Sequence, residues 1–361
     1  MPARYEVYLA NDDGEIVADL MPNLGFEYLR VVNDRGVWSL TLEHDALDDA
    51  LVKQDQMIHI WRALPGARLR LDFVGFLRHW FYTEHTLTLA GYCLNDLLRR
   101  RVIPAVQTEV VKTDYADDLM KELVYDNLGA GAGAGRDLSA YGFTVEADAS
   151  IGPTVVAPVA RYDVLSSLQE LADIARGEGA EVFFGIEFTE PSVYTFCTDT
   201  DQPGIDRTWG NGMVPPVVLR QEEGTLEEPL YEHDHSDEGN FAYALGPAEG
   251  DFRPIQTAEN TTLSRASNWA RCEVMENAPD AVTTAALSDA ASRALIDHRP
   301  RIRLSGRVAE TENLRYGRDW NFGDKVTVAF RDIFADGIIR SVNVGISDGA
   351  EQVTARAEVE L

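Results

Sequence analysis

Apolar and polar residues alternate along the first hundred residues in short segments that end at turn-forming residues. The segments with this alternation are residues 4–20, 26–31, 37–42, 57–62, 68–80 and 86–91. Residues 11–14 and 33–36 are rich in Asn, Asp and Gly, which accept the backbone angles of tight hairpin turns. The pattern predicts six or seven antiparallel strands over residues 1–105, typical of a barrel or sandwich, ended by a short helix near residues 94–101.

From Thr113 onward the apolar spacing changes from two residues to three or four, which indicates helices. Thr113 or Asp114 is predicted to cap a first helix. The apolar face of a second helix is predicted from Tyr162, Leu165, Leu168, Leu171, Ile174 and Ala175, with glycines beyond its end. Strands follow near residues 181–188 and 193–196. Residues 106–203 are therefore predicted to form an α/β domain.

The last third returns to strand patterns, with a helix predicted at residues 285–298. We assign residues 204–361 to a second β domain that contains this helix as an insertion. The predicted fold class is α+β and mainly β. It consists of two related antiparallel β-barrel-like units that flank an α/β segment.

A repeat relates the two β domains. Residues 323–328 and 337–340 match residues 55–60 and 75–78 in the order turn, strand, turn and strand. In each copy the second strand begins with Gly, two apolar residues and Arg. The residues of this structural repeat motif are Asp55, Gly75, Arg78, Gly323, Asp324, Gly337 and Arg340. Neither copy contains an obvious catalytic group.

The charge of the chain excludes one class of function. It has 60 acidic and 32 basic residues, a net charge of -28, and its lysines are Lys53, Lys112, Lys121 and Lys325. Binding of nucleic acid through its phosphates needs clustered Lys and Arg, so this chain is not predicted to bind DNA specifically. Abundant carboxylates with few lysines fit a protein of a halophilic host. A GC-rich genome would explain the scarcity of lysine but not the acidity.

The cysteines and the apolar segments set further limits. Cys93, Cys197 and Cys272 are far apart and lack CxxC or Cys-His spacing, so neither a disulfide framework nor a zinc site is predicted. The N-terminus has no basic and apolar leader, and no run of 18 apolar residues occurs. We therefore expect neither a signal peptide nor a membrane span.

One cluster contains metal-ligating side chains. His233 and His235 lie in the acidic segment 232–238 and would share a face on a strand. No spacing points to a third ligand, so a solvated acidic loop is favoured over a metal site. Segment 199–204 begins like a calcium loop but has Pro203 at the fifth position. No GxSxG motif is present. We predict neither catalytic residues nor a cofactor.

Several motifs of the last third carry a resemblance to a known family: residues 240–246 leading to 249–253, residues 271–273, the helix near 285–298, and residues 316–328. Together they resemble the C-terminal half of baseplate hub proteins, also called tail tip hub or minor tail proteins, of long-tailed siphovirus-like viruses. The N-terminal half is similar in plan, through residues 55–60 and 75–78. The same resemblance extends to hubs of contractile tails and to the spike proteins of type VI secretion.

This resemblance implies a function. Such hubs are trimers in which two similar barrels per subunit make a ring of pseudo-sixfold symmetry, which joins a sixfold tail tube to a threefold tail tip and lets DNA pass. The expected partners are two further copies, a tail tube or distal tail protein on one side, and a tail tip or fibre protein on the other. The chain would be made in the host cytoplasm and reside in the virion at the tail tip. A negative channel wall would keep DNA from sticking.

Two alternatives stay open from the sequence. One is an enzyme, either a metal-dependent hydrolase that uses His233 and His235 or a carboxylate glycosidase, and the other is a carbohydrate-binding β module with exposed aromatic residues. The chain ends at Leu361, soon after the second β domain, so no lysozyme, peptidase or fibre domain is expected. The favoured prediction is a structural protein and not an enzyme.

Overall fold

A computed structural model describes residues 3–11, 14–20, 25–104, 111–158, 163–247, 253–279, 281–347 and 350–360. The strands of the first third are β1 (Arg4–Ala10), β2 (Ile16–Leu20), β3 (Gly25–Val31), β4 (Val37–Glu43), β5 (Met57–Ala63), β6 (Arg70–Tyr82) and β7 (Thr86–Cys93). The middle elements are α1 (Asp96–Arg99), β8 (Val111–Tyr115), α2 (Ala116–Asn127), β9 (Phe143–Val145), β10 (Thr154–Pro158), α3 (Val164–Gly177), β11 (Val182–Glu190) and β12 (Val193–Thr200).

The last third contains both short and long strands. They are β13 (Asp206–Arg207), β14 (Val218–Arg220), β15 (Leu226–Asp234), β16 (Phe241–Leu245), β17 (Ile255–Glu259), β18 (Glu273–Asn277), β19 (Arg301–Val308), β20 (Lys325–Phe330), β21 (Ile333–Ser347) and β22 (Ala350–Glu360). The helices are α4 (Thr261–Ser264) and α5 (Thr284–Asp297). No described helix is long and apolar enough to span a membrane.

The chain forms two compact units. The larger comprises Met1–Arg176, Ala180–Pro229 and Ser305–Val359, and the smaller comprises Gly177–Gly179, Leu230–Leu304 and Glu360–Leu361. The domains predicted from sequence are residues 1–105, 106–203 and 204–361. They divide the chain into three consecutive segments, whereas each compact unit combines segments that are separate in sequence.

The dominant feature is one sheet that joins strands from both ends of the chain. Its hydrogen-bonded order is β15-β19-β22-β21-β3-β4-β7-β6-β5-β1-β2, and β20 branches from β21 to pair with β13 and β14. The α+β, mainly β class predicted from sequence is confirmed. The two predicted β units share this sheet, and its pairing does not close into a barrel within the described residues.

Period-two burial explains the strands of the first third. In β4, Trp38, Leu40 and Leu42 are buried, and the residues between them are not. In the adjacent β7, Leu87 and Leu89 are buried in the same way. Successive side chains of a strand point to opposite faces, so one face of the sheet is the core face and the other is open. We call the second one the open face.

The α/β segment packs on the first β unit. Helices α2 and α3 contribute leucines to a core that also includes Met57 and Phe76. The predicted face of α3 is buried at Leu165, Leu168 and Leu171, whereas Tyr162 lies outside the described residues. Strands β11, β12 and β9 form a separate three-stranded sheet.

The start of α2 differs from the prediction. Thr113 and Asp114 do not cap the helix, because both belong to β8 and pair with β10. The helix begins at Ala116. Its first-turn carboxylates, Asp117 and Asp118, accept hydrogen bonds from backbone N–H groups of residues 149–151. Because of this strand pairing, the helix starts two residues after Asp114 and three after Thr113.

The smaller unit has its own core. Its sheet has the order β17-β16-β18, and α5 packs against all three strands. The predicted helix at 285–298 is thus present, and the Thr283 hydroxyl caps it by accepting from the Ala286 N–H at 3.1 Å. Ala242, Ala244 and Leu287 are buried in this core. Residues 249–252 of the hub-like motif and two residues of the predicted 11–14 turn lie outside the described residues.

A buried polar network links the two ends of the chain within the larger unit. The Arg62 guanidinium donates to Glu351 at 2.8 Å and to the backbone oxygen of Tyr316 at 2.9 Å. It also donates to the Tyr5 hydroxyl at 2.8 Å. Burial raises the pKa of Tyr5, so this hydroxyl stays protonated and donates to Glu351. Nearby, the Tyr316 hydroxyl donates to Asp72 at 2.8 Å.

We expect Arg62→Ala to lower the free energy of unfolding by roughly 3–5 kcal/mol, because it leaves the largely buried Glu351 carboxylate without its charged partner. The matched control is Arg4→Ala, which removes an exposed ion pair with Glu6 and should cost less than about 1 kcal/mol. Urea unfolding followed by circular dichroism measures both. Equal effects of the two substitutions would contradict a structural role for the network.

Candidate functional site

The first copy of the repeat motif is a hairpin of β5 and β6. Met57 pairs with Phe76 and Ile58 with Gly75. Asp55, just before β5, has a left-handed backbone with φ of 65°. Its N–H donates to the Leu77 oxygen at 3.0 Å, and the Leu77 N–H donates back to the oxygen of residue 56 at 2.7 Å. These bonds fix where the turn meets the second strand.

The second copy is a hairpin of β20 and β21 with the same register. Lys325 pairs with Ile338 and Val326 with Gly337. Gly323 has a left-handed φ of 79°. Its N–H donates to the Ile339 oxygen at 3.1 Å, and the Ile339 N–H donates to the oxygen of residue 324 at 3.0 Å. Each turn bond of the first copy thus has a counterpart in the second.

The turn residues correspond one by one. The Gln56 side chain accepts from the Lys53 N–H at 2.9 Å, and the Asp324 carboxylate accepts from the Asn321 N–H at 2.8 Å. Both acceptors are buried and lie three residues after the donor. Gln56 is therefore the counterpart of Asp324. Asp55 is the counterpart of Gly323, so the two Asp residues of the motif are one position apart.

The motif arginines lie at equivalent irregularities. The pairing of β6 with β7 shifts between Leu77 and His79, and the pairing of β21 with β22 shifts between Ile339 and Ser341. The bulged residue is Arg78 in the first case and Arg340 in the second. A bulge increases the local twist of a strand, so both long strands turn at the same point. The correspondence between the two hairpins therefore extends to the next strand of each, β7 in the first copy and β22 in the second.

The acidic partners of the two arginines differ. Arg78 and Arg100 both donate to Asp55, at 2.6 and 2.8 Å. Partial burial raises the pKa of Asp55, but the hydrogen bond from Arg78 and the charge of Arg100 outweigh it, so this pKa lies below its usual value. Arg340 instead donates to Glu181, a residue of the α/β segment. The motif positions are alike in backbone and different in the contacts of their side chains.

The motif glycines allow close approach of the neighbouring strand. A Cβ on Gly75 would lie 2.6 Å from the Tyr92 oxygen, and one on Gly337 would lie 2.5 Å from the Glu358 oxygen. Real Cβ atoms do not approach backbone atoms this closely, so only glycine fits without movement of the backbone.

Each hairpin continues into a set of paired strands. We call β3, β4, β5, β6 and β7 the first module, and β15, β19, β20, β21 and β22 the second module. In the sheet order β4 follows β7 and β3 follows β4, while β19 follows β22 and β15 follows β19. The two modules therefore have the same strand arrangement.

The modules meet at a seam between β3 and β21. Ser341 pairs with Val31, and the antiparallel register runs to Ile346 with Phe26. Val342 and Val344 on β21 have no exposed surface. Sequence reasoning missed this seam, because β3 and β21 are distant in the chain and one sequence gives no pairing signal between them.

The histidine pair lies at the end of β15, which continues through Asp234 where an acidic loop was expected. The rings of His233 and His235 are parallel, with centroids 6.5 Å apart. The Nδ1 atom of His235 is 2.6 Å from a carboxylate oxygen of Glu238. No group of three or more His, Cys, Asp or Glu side chains suited to a metal occurs among the described residues.

Burial affects the thiols of Cys93 and Cys197. Burial, together with the charges of Glu187 and Glu146, raises the pKa of Cys197 to about 12. Burial also raises the pKa of Cys93. A catalytic cysteine needs a lowered pKa, so these environments oppose thiolate chemistry.

A family model described as "Siphovirus ReqiPepy6 Gp37-like protein" matches residues 6–357, and the chain belongs to this family. A search of curated proteins found no match.

Solved structures share the fold at low identity. The chain is similar to the 43 kDa tail protein of prophage MuSo2 from Shewanella oneidensis, with a TM-score of 0.54, 13% identity, and coverage of 99% of this chain and 98% of that one. A tail protein from Neisseria meningitidis MC58 gives 0.53 and 13%, with 98% and 96% covered. A chain of the Francisella PdpA–VgrG complex gives 0.51 and 10%, with 99% and 52% covered.

Family and fold agree with the resemblance stated from the sequence. The relationship to viral tail hub proteins is confirmed. The prediction of a structural protein and not an enzyme agrees with this family and with the tail proteins that share its fold.

We expect Gly75→Ala and Gly337→Ala each to lower the free energy of unfolding by about 1–3 kcal/mol, because the added methyl group overlaps a strand carbonyl. The control is Gly345→Ala in β21, where nothing lies within 4 Å of the new Cβ. This control should change stability by less than about 0.5 kcal/mol. Denaturant unfolding distinguishes the three variants. A control as damaging as the motif variants would show that any strand glycine is equally sensitive.

Proposed function

We propose that this chain is the structural hub of a siphovirus tail. Three copies form a ring of pseudo-sixfold symmetry that joins the sixfold tail tube to the threefold tail tip. The observation that carries the proposal is the equal register, turn bonding and bulge position of the two hairpins, β5–β6 and β20–β21. The motif residues, among them Gly75 and Gly337, mark a duplicated module in this proposal.

Duplication resolves a mismatch of symmetry. A ring of three identical chains has threefold symmetry, whereas a sixfold tube offers six equivalent contacts. Two modules of the same backbone in each of three chains present six nearly equivalent surfaces. The tube or distal tail protein binds this ring on one side, and a tail tip or fibre protein binds on the other.

The proposed domains divide these tasks. Residues 1–105 and 204–361 supply the two modules, and residues 106–203 supply an α/β domain that packs against the first module. The compact smaller unit, Leu230–Leu304, interrupts the second β domain. The first module has no such insertion between its strands. The two modules therefore differ most in the segments that connect the corresponding strands.

DNA passes through the ring without specific binding in this proposal. On the open face of the modules within the larger unit, many side chains are small and neutral, such as Ser39, Thr41, Thr86, Thr88, Asn343 and Thr354. Charges of both signs are present, with Glu27 and Glu43 in the first module and Arg307 and Arg356 in the second. This mixed face is less acidic than the net charge suggests. It offers DNA no continuous basic track.

The alternatives have weaker support. His233 and His235 lack a third ligand among the described residues, which disfavours a metal-dependent hydrolase. Among the tryptophans, Trp38 and Trp320 are buried in the core and cannot contact a glycan, whereas Trp209 and Trp269 are exposed. The exposed rings alone do not distinguish a sugar site from a protein interface.

We expect light scattering of the purified protein to give three times 40.0 kDa, about 120 kDa, in both low and molar salt. Apolar and backbone contacts between modules are weakly sensitive to salt, so the trimer should persist. A well-folded monomer at every concentration and salt tested would refute the ring.

We expect the protein to bind double-stranded DNA with a dissociation constant above about 0.1 mM at physiological salt, because its net charge repels phosphate. A matched variant with both Glu27→Lys and Glu43→Lys should bind more tightly and with a steeper dependence on salt. Fluorescence anisotropy measures both. Micromolar binding by the unchanged protein would contradict free passage.

A further inference from the structure

The outer end of β6 is a strand edge without a partner in the described residues. Residues 79–82 pair with β7 on one side. On the other side, β5 pairs with β6 only as far as Phe76, and the turn bonds of residues 55 and 56 end at Leu77. Beyond Leu77, the backbone N–H and C=O groups of this edge have no strand to bond.

The counterpart of this edge in the second module is fully paired. His79–Ala90 and Ser341–Arg356 are the first pairs after the two bulges, so residues 79–82 correspond to residues 341–344. In β21 that edge pairs with β3. The same position in the duplicated backbone is therefore open in one module and occupied in the other.

Burial at the equivalent positions differs sharply. Val342 and Val344 are 0% exposed, whereas their counterparts Trp80 and Tyr82 are 37% and 38% exposed. Phe81, between them, is 45% exposed. Unpaired edges in native proteins normally carry charges, prolines or bulges that prevent association. Three consecutive aromatic residues on an open edge are instead typical of a surface that another strand covers.

The strand that fits this edge is β15. Strand β3 pairs with the equivalent edge of β21. In the first module β3 is the strand next to β4, and β15 has the same position in the second module, next to β19. Strand β15 is therefore the counterpart of β3. The described sheet ends at β15, so its outer edge is also open. The Ala309 N–H donates to the Thr225 oxygen just before β15, and Arg307 pairs with Glu227 on it. This side of β15 therefore faces β19 and leaves the other side free.

We propose that the outer edge of β15 in one copy of this chain pairs antiparallel with residues 79–82 of β6 in the next copy. The seam within the chain, β3 on β21, is the template for this seam between chains. The inference rests on the proposed trimeric ring and adds which edges join its subunits. Internal and intersubunit seams then alternate around the ring, and every open edge of the duplicated modules is filled.

The energetic argument follows from strand pairing. Pairing of two open strand edges gives hydrogen-bond partners to backbone N–H and C=O groups that water otherwise solvates. It also buries aromatic side chains, which contribute strongly to the stability of interfaces. Leu230 on β15 is 51% exposed and offers an apolar side chain to such a seam. Aromatic residues on β6 and an apolar residue on β15 would both become less exposed when the edges pair.

Site-specific photocrosslinking tests the seam. The photoreactive residue p-benzoylphenylalanine takes the place of Phe81, and the matched control carries it in place of Trp209, another exposed aromatic residue. After irradiation, we expect the first protein to give a covalent dimer on a denaturing gel. Mass spectrometry of that dimer should identify the peptide that contains β15, Leu226–Asp234. The control should give no crosslink to this peptide.

The outcomes separate the seam from the ring. A trimer by light scattering whose crosslinks from position 81 avoid β15 would overturn the seam and leave the hub proposal intact. A protein that is monomeric under all conditions would overturn the hub proposal and the seam with it. A crosslink to β15 within a covalent dimer supports both.

A charged substitution gives a second readout. Trp80→Glu places a carboxylate in the seam and should weaken trimer formation about tenfold or more. The control Trp209→Glu should leave the trimer unchanged. Circular dichroism checks that both variants keep the fold. A trimer of undiminished affinity in folded Trp80→Glu would overturn the seam.

Discussion

Backbone pairing between β3 and β21 is the interaction on which the rest of the larger unit depends. Strand β21 is long enough to serve two purposes: its first half pairs with β20, and its second half lies between β22 and β3. This arrangement brings residues from both ends of the chain into one sheet. The buried network around Arg62 also joins the two ends, because Tyr5 and Arg62, which pair on β1 and β5, contact Tyr316 and Glu351 from the end of the chain.

The two modules are alike where strands pair and different where they contact other parts of the chain. The hairpins share register and bulge, yet β1 runs antiparallel to β5, whereas β13 and β14 run parallel to β20. Arg78 and Arg340 show the same contrast, since one bonds within its own hairpin turn and the other bonds Glu181. A duplicated backbone can thus keep equivalent surfaces for a ring while its flanking strands take separate roles.

Excess negative charge is not concentrated on the described open face of the modules. The open face of the modules combines neutral residues with charges of both signs, so the acidity lies largely elsewhere. Net charge affects solubility and indicates which partners are repelled, but it does not by itself locate a binding surface. Strand edges and exposed aromatic residues such as Phe81 are more specific guides to assembly.

The sequence by itself determined the local structure. Period-two burial in β4, the apolar face of α3 and the capped helix α5 follow from residue patterns, because each depends on neighbours within a few positions. The repeat motif, with Gly75 and Gly337, was also a prediction from the sequence.

Only the tertiary structure decided which distant elements contact one another. The seam of β3 with β21 and the contacts of Arg62 connect residues that are hundreds of positions apart. The cap predicted at Thr113 or Asp114 gave way to pairing of β8 with β10, in which Asp114 pairs with Val155 and Thr113 with Val156. Strand pairing uses backbone groups that nearly every residue possesses, so the local residue pattern does not specify which distant edges meet. Packing of the whole chain makes that choice.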